Sequence, residues 1–258
     1  MQKVEGSNPS VRIWNFGQLV QWQNIRLTSG RSQVQSLHCP LIMYLVKLLA
    51  KKEVAEKTTA FFFEKPKGFK FVPGQFIEIY LAKTLTHEFS IASSPKEKEL
   101  MIATRMRPSA FKKSLNKLKI GNQAKIGGPF GQFVLHKNKK IPAVFLAGGI
   151  GITPFRSMIK DHLNRKITLF YSNRREKDAT FLEELKTLQN RNFKLTPLMT
   201  KKNGKHIDQK MIKDNVNGWQ KTIYYAVGST GFVQSMVNML SEMKMKPEQI
   251  KTENFSGY

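Results

Sequence analysis

The spacing of apolar runs changes character near residue 140, and no other feature of the chain restricts its fold as much. Between Met43 and residue 135 the runs are short and separated by Gly, Pro and Lys, at 44–49, 58–63, 76–81, 89–92, 100–104 and 124–126. Six short runs with turn signals this close together predict a small antiparallel barrel. From Ile141 onward, strand-like runs at 143–147, 167–172, 194–200 and 222–227 alternate with helical stretches, which predicts a parallel sheet covered by helices. The polar, basic stretch His136 to Lys140 separates the two textures. Residues 43–138 and 139–258 are therefore expected to form two domains. No internal repeat or low-complexity tract follows Met43.

Residues 1–42 do not share either texture. They hold two of the three Trp and the only Cys, and few apolar residues at helical or strand period. A basic region, apolar stretch and small-residue cleavage site are missing, so they do not read as a signal peptide. The transfer-RNA T-arm consensus GGTTCGAATCC encodes Gly-Ser-Asn-Pro in one frame, found at Gly6 to Pro9, and a GTTCAATCC variant encodes Val-Gln-Ser, found at Val34 to Ser36. The segment is expected to be a spurious leader translated through tandem transfer-RNA genes, with Met43 as the true start. A genuine but disordered extension is the alternative.

Composition narrows the classes of function. Lys+Arg 43 against Asp+Glu 18 gives a net charge of +25, and without the four basic residues and one acidic residue of the leader it is +22. The lysines are scattered and no aromatic residues interleave with them, so a nucleic-acid groove is not expected. An acidic macromolecule is the partner that such a field would steer. An AT-rich coding composition accounts for part of the excess without any partner. A single cysteine, Cys39, excludes an internal disulfide framework, a Cys-based zinc site and a plant-type iron–sulfur cluster, and no metal site is expected. The chain is too polar to be an integral membrane protein, and a cytoplasmic location is expected. Any redox chemistry must be carried by an organic cofactor.

The second domain offers a phosphate site at Gly148-Gly149-Ile150-Gly151-Ile152-Thr153-Pro154, where a strand ends in glycines and a helix opens through Thr and Pro. Glycines admit a pyrophosphate close to the backbone, and the free N–H groups of a helix start point at it. A merely tight strand-to-helix connection looks similar, so this reading stays open on these residues alone. The next strand ends in Ser172-Asn173-Arg174-Arg175 without an immediate carboxylate for ribose hydroxyls. Two guanidiniums there suit the extra phosphate of NADPH. The alternative is that Arg174 and Arg175 are solvated, with Glu176 or Asp178 turning back to hold the ribose of NADH.

In the first domain, His87-Glu88-Phe89-Ser90-Ile91-Ala92-Ser93-Ser94-Pro95 is by itself a strand with an aromatic beside a hydroxyl, compatible with ordinary packing. Its order along the chain with other blocks is more specific. It resembles the flavin signature Arg-x-Tyr/Phe-Ser-x-x-Ser of the ferredoxin-NADP reductase family. Pro73-Gly74-Gln75 lies upstream, and Gly128-Pro129-Phe130-Gly131, the Gly148 to Pro154 turn, a strand end at Gly228 and Glu253-x-Phe255-x-Gly257-Tyr258 follow in the family's order. The blocks span most of residues 43–258.

The resemblance implies a six-stranded antiparallel Greek-key barrel binding FAD, followed by a Rossmann-like parallel-sheet domain binding NADP or NAD. It implies that Phe89 lies against the flavin ring, that Ser90 bonds near the reactive nitrogen, and that the backbone around Glu88 and Ile91 holds the pyrimidine edge. His87 replaces the usual Arg and offers fewer donors, with a charge that depends on pH. Ser109-Ala110-Phe111-Lys112 begins a helix where the family also holds the pyrophosphate, so its N–H groups and the Lys112 ammonium are expected to compensate. Val227 and Ser229 depart from the family's Cys-Gly-Pro. Ser90 and Glu253 are the expected catalytic residues.

The function implied is hydride transfer between NAD(P)H and FAD, with electrons passed to an acidic ferredoxin or flavodoxin. A flavoprotein subunit of a larger redox complex and a basic binding protein without cofactor are the competing readings. Retention of Ser90, Gly149, Thr153 and Glu253 speaks against the last.

Overall fold

A computed structural model describes residues 11–12, 42–82 and 84–255. Apart from the two-residue strand Val11–Arg12, which pairs antiparallel with Met43 and Tyr44, the leader reading lies outside the described residues.

The first sheet contains β1 (Met43–Ala55), β2 (Thr58–Glu64), β3 (Phe76–Ala82), β4 (Leu85–Ser90), β5 (Glu99–Arg105) and β6 (Gln123–Phe130). They are ordered β4-β3-β6-β1-β2-β5 and all pairs are antiparallel, the expected Greek-key arrangement. The long β1 turns the sheet: its first half pairs with β6 and its second half, past a register shift between Leu48 and Ala50, pairs with β2. The end strands meet where the chain leaves β4, since the Ala92 N–H donates to the Met101 carbonyl of β5 at 2.8 Å. Inside lie Phe61, Phe63, Ile77, Ile79, Leu100, Ile102 and Ile126, alternate residues of their strands. Helix α1 (Ala110–Lys117) closes the barrel with Phe111 and Leu115.

Past residue 140 the chain runs β7 (Ala143–Gly148), α2 (Ile152–Asp161), β8 (Ile167–Asn173), α3 (Leu182–Thr187), β9 (Phe193–Met199), α4 (Thr200–Asn203), α5 (Gln209–Asn215), β10 (Ile223–Gly228), α6 (Thr230–Glu242) and β11 (Ile250–Asn254). The strands are parallel in the order β9-β8-β7-β10-β11. Alternate residues of β7 enter cores on opposite faces, Phe145 against Phe155 and Tyr225 on one side, Val144 and Leu146 against Met239 and Leu240 on the other. Burial on both faces explains why β7, β8 and β10 read as nearly continuous apolar runs. β11 escaped sequence reading because Ile-Lys-Thr-Glu-Asn is an edge strand with one apolar residue.

The first core crosses the domain junction, because Ala60, Ala92, Met101 and Ala103 of the barrel share it with Phe155 and Tyr171. Two ion-pair clasps flank this contact. In one, Arg156 of α2, 5% exposed, bonds Glu97 of the β4–β5 connection and Glu184 of α3, and Lys160 joins both carboxylates at 3.0 and 2.9 Å. In the other, Glu56 at the β1–β2 turn accepts from Arg175 at 2.6 Å and Lys177 at 3.0 Å. Arg105 of β5 and Arg175 both reach Asp178, at 3.3 and 2.9 Å.

Candidate functional site

A cavity of about 190 Å³ opens where the end of β4 faces the end of β11. The barrel contributes His87, Glu88, Phe89, Ser90, Phe76 and Ala103, and the parallel sheet contributes Thr153, Glu253, Asn254 and Phe255. Antiparallel register sets Phe76 opposite Ser90, and parallel register sets Glu253 beside Val227. Two chain segments 163 residues apart thus bring the Ser90 hydroxyl to 3.5 Å from the Glu253 carboxylate, at the long limit of a hydrogen bond. Burial pushes the Glu253 carboxyl up to about 7, against the pull of the Ser90 hydroxyl and with the help of the negative charge on Glu88. A carboxyl with that value holds or releases a proton near neutral pH.

The other expected barrel residues take definite places. Phe89 is 3% exposed, and its ring sits in the barrel core, stacked beneath His87 at 4.9 Å and 5.6 Å from Phe111. Only part of it reaches the cavity wall. His87 Nδ1 lies 2.9 Å from the Glu88 carbonyl. Glu88 is exposed, opposite Glu78 of β3. The Ile91 N–H donates to the Gln75 carbonyl at 2.9 Å, so that donor is engaged within the fold. Ser109 caps α1 by accepting from the Lys112 N–H at 3.1 Å, next to exposed Ala110. The Lys112 ammonium does not face outward from this turn: it is buried and donates to the Arg105 carbonyl at 3.0 Å, with its pKa lowered by burial and by Arg107.

In the second domain Gly149 takes a φ of +55°, and the space where its Cβ would stand is open. Helix α2 follows with no side-chain cap and no acidic residue in its first turn, so its positive end is not neutralised locally. Thr153 is buried, bonds the Ile150 carbonyl at 3.2 Å and reaches the cavity, and Pro154 is buried behind it. Gly151 packs against β10, where a Cβ would stand 2.4 Å from the Val227 carbonyl oxygen. This backbone cradle and helix start fit a pyrophosphate. The cavity, with a hydroxyl, a proton-holding carboxyl and aromatic walls, fits the edge of a flat redox cofactor.

At the end of β8, Ser172 is half-buried and Arg174 is exposed, with no ion pair among the described residues. Arg175 is turned to Asp178 and Glu56. Asp178 is itself buried, and the arginines beside it hold it in its charged form. Phe76, Ala103 and Asn254 were not foreseen as lining residues. The register of Gln75 and Phe76 against Ser90 would have indicated Phe76. Among the described residues no three His, Cys, Asp or Glu side chains converge as a metal site, and no helix is long and apolar enough to cross a membrane.

Known proteins match along the same lines. The profile of an FAD-binding domain matches residues 43–153, and that of an oxidoreductase NAD-binding domain matches residues 145–238. Flavohemoprotein A of Dictyostelium discoideum is 25% identical over 231 residues, covering 80% of this chain and 58% of that protein. Methane monooxygenase component C of Methylosinus trichosporium is 30% identical over 158 residues, covering 56% of this chain and 46% of that protein. The chain thus spans about half the length of these curated relatives. A ferredoxin NADP+ reductase from Neisseria gonorrhoeae, solved with bound FAD and NADP, superposes with a TM-score of 0.72 at 20% identity, covering 82% of this chain and 98% of that one.

Proposed function

Since this chain belongs to the ferredoxin-NADP reductase family and carries its FAD-binding and NAD-binding domains, we propose that it transfers hydride from NADPH to FAD and passes electrons to an acidic ferredoxin or flavodoxin. The observation that carries this reading is the single cavity into which the barrel sends Ser90 and the parallel sheet sends Thr153 and Glu253. FAD supplies hydride acceptance and the conversion of a two-electron donor into single-electron delivery. The protein's share is orientation, exclusion of water and proton control. Ser90 offers a hydroxyl at the reacting edge, and Glu253 stores a proton there. Phe255, tied by its N–H to the Gly228 carbonyl at 2.9 Å, walls the nucleotide side. The start of α1 and His87 hold the flavin diphosphate, and Gly149 with the start of α2 holds that of the nucleotide.

The charge of +25 supports an acidic acceptor. A reductase component inside a larger assembly is the second reading, favoured by the names of relatives such as component C, of which the chain covers about half. Purified full-length protein should bind FAD and turn yellow, and anaerobic NADPH should bleach the flavin absorbance. Protein that takes up no FAD when supplied with it would end the proposal.

Nucleotide choice follows from the end of β8. Asp178 is committed to Arg105 and Arg175, so it is not available to a ribose, and Arg174 remains to meet a 2′-phosphate. Arg174→Ala should lower the ratio of kcat/KM for NADPH over NADH about tenfold, about 1.4 kcal/mol of discrimination. Arg175→Ala should leave that ratio nearly unchanged and loosen the junction at Glu56. Steady-state rates with both nucleotides decide, and an unchanged ratio in Arg174→Ala would remove Arg174 from phosphate recognition.

A further inference from the structure

The four glycines around the nucleotide turn are not equivalent. Gly149 has a left-handed backbone and faces open space, and Gly151 is pressed against the backbone of β10. Gly148 and Gly228 have neither property. Gly148 is extended, with φ −108° and ψ 111°, a conformation open to any residue. Its Cβ would stand 2.8 Å from Cγ of the Phe232 ring and 2.9 Å from Cδ1. A Cβ on Gly228 would stand 2.8 Å from the same Cδ1 and 3.3 Å from the Gly148 Cα. One aromatic ring therefore lies across both glycines, closer than any side chain at either position would allow.

The position of that ring matters. The chain passes from β7 outward to β8 and β9, then crosses to β10 on the other side of β7, so strand order reverses between β7 and β10. The crevice at the carboxyl ends of those two strands is where open parallel sheets of this kind receive a dinucleotide. Phe232 hangs over it from the first turn of α6, which Ser229 caps, and is only partly buried. While the ring rests on both glycines, no ligand atom can approach them.

We propose that Gly148 and Gly228 lack side chains in order to seat the Phe232 ring, and that this ring competes with the nicotinamide half of the dinucleotide for the crevice, so that Phe232 sets nucleotide affinity. The inference rests on the NADPH reading above. The apparent affinity of a crevice that is open only part of the time is reduced by that fraction. The adenylate half, read by Arg174 at the end of β8, is one strand away and does not meet the ring.

Calorimetric titration of the full chain with NADP+ and with 2′-phospho-AMP tests this. Phe232→Ala and the milder Phe232→Leu should both bind NADP+ at least tenfold more tightly than wild type, while 2′-phospho-AMP binding stays within twofold. Gly148→Ala should lower the melting temperature in the wild-type background and not in the Phe232→Ala background, where the added methyl has room. Equal NADP+ affinity in wild type and both Phe232 variants, with 2′-phospho-AMP still bound, would overturn the competition and leave the nucleotide reading intact. Loss of NADP+ binding on Gly148→Ala in both backgrounds would return that glycine to the nucleotide. Failure of every variant and of wild type to bind either compound would overturn the nucleotide reading and this inference with it.

Discussion

Arg156→Ala is expected to remove about 3–5 kcal/mol of folding stability, because it leaves partly buried carboxylates without their counter-charge. All five guanidinium N–H donors of Arg156 are used. Nε and Nη2 grip Glu184 at 2.7 Å each, Nη1 and Nη2 grip Glu97 at 3.0 and 3.1 Å, and Nη1 also reaches the Ala92 carbonyl at 2.7 Å. The Phe181 ring lies 5.0 Å from the guanidinium carbon. Burial alone would raise the Glu97 carboxyl, but Arg156, the Ser94 N–H and Lys160 hold it at about 2. A depressed carboxyl gives stability that is present above its unfolded value near 4.5 and is lost as pH falls toward 2. Urea unfolding should therefore show a large gap between wild type and Arg156→Ala at pH 7 that narrows at pH 3. Arg156→Lys should fall between them, since a single ammonium cannot make two forked contacts. A gap below 1 kcal/mol at pH 7 would show that Lys160 alone neutralises the pair.

Glu253→Gln is expected to act in opposite directions on stability and rate. The folded carboxyl titrates near 7, above its ordinary value of 4.5. Between those values the native state keeps a proton that the unfolded chain has released, so wild-type stability falls as pH rises through this window and levels off above it. The loss is on the order of 3 kcal/mol, about 1.4 kcal/mol for each unit of the window. Glutamine carries no such penalty, so the variant should equal wild type near pH 4 and exceed it at pH 8. Rapid mixing with NADPH should meanwhile show flavin reduction slowed by about 10²-fold at pH 7, the scale of a lost proton-handling group. A stability difference that does not change between pH 4 and pH 8 would place the Glu253 charge in water.

Both sheets were legible because their apolar runs report burial directly. Alternate residues of β3 and β6 face one core, and those of β7 face two. The edge strand β11 was visible only through Glu253, since a strand with so little burial leaves almost no periodic signal. The glycine turn, Ser90 and Glu253 could be read from blocks in order along the chain. What Phe89 touches could not, because its face depends on the register of β4 against β3. The ordering of Arg175 by Glu56, 119 residues away, and the closure of two glycines by Phe232 are products of tertiary packing that no local pattern encodes.

The two clasps at the domain junction have a kinetic consequence. An electron carrier that swings one module between donor and acceptor needs a hinge, and here ion pairs at Glu56 and at Glu97 fasten the barrel to the parallel sheet on separate sides. With the reacting edge fixed in place, delivery to the separate acidic acceptor proposed above depends on that acceptor diffusing to the cavity mouth. Turnover should then rise linearly with dilute acceptor, slow in viscous solution and weaken with added salt, as for a collision between opposite charges rather than an internal shuttle.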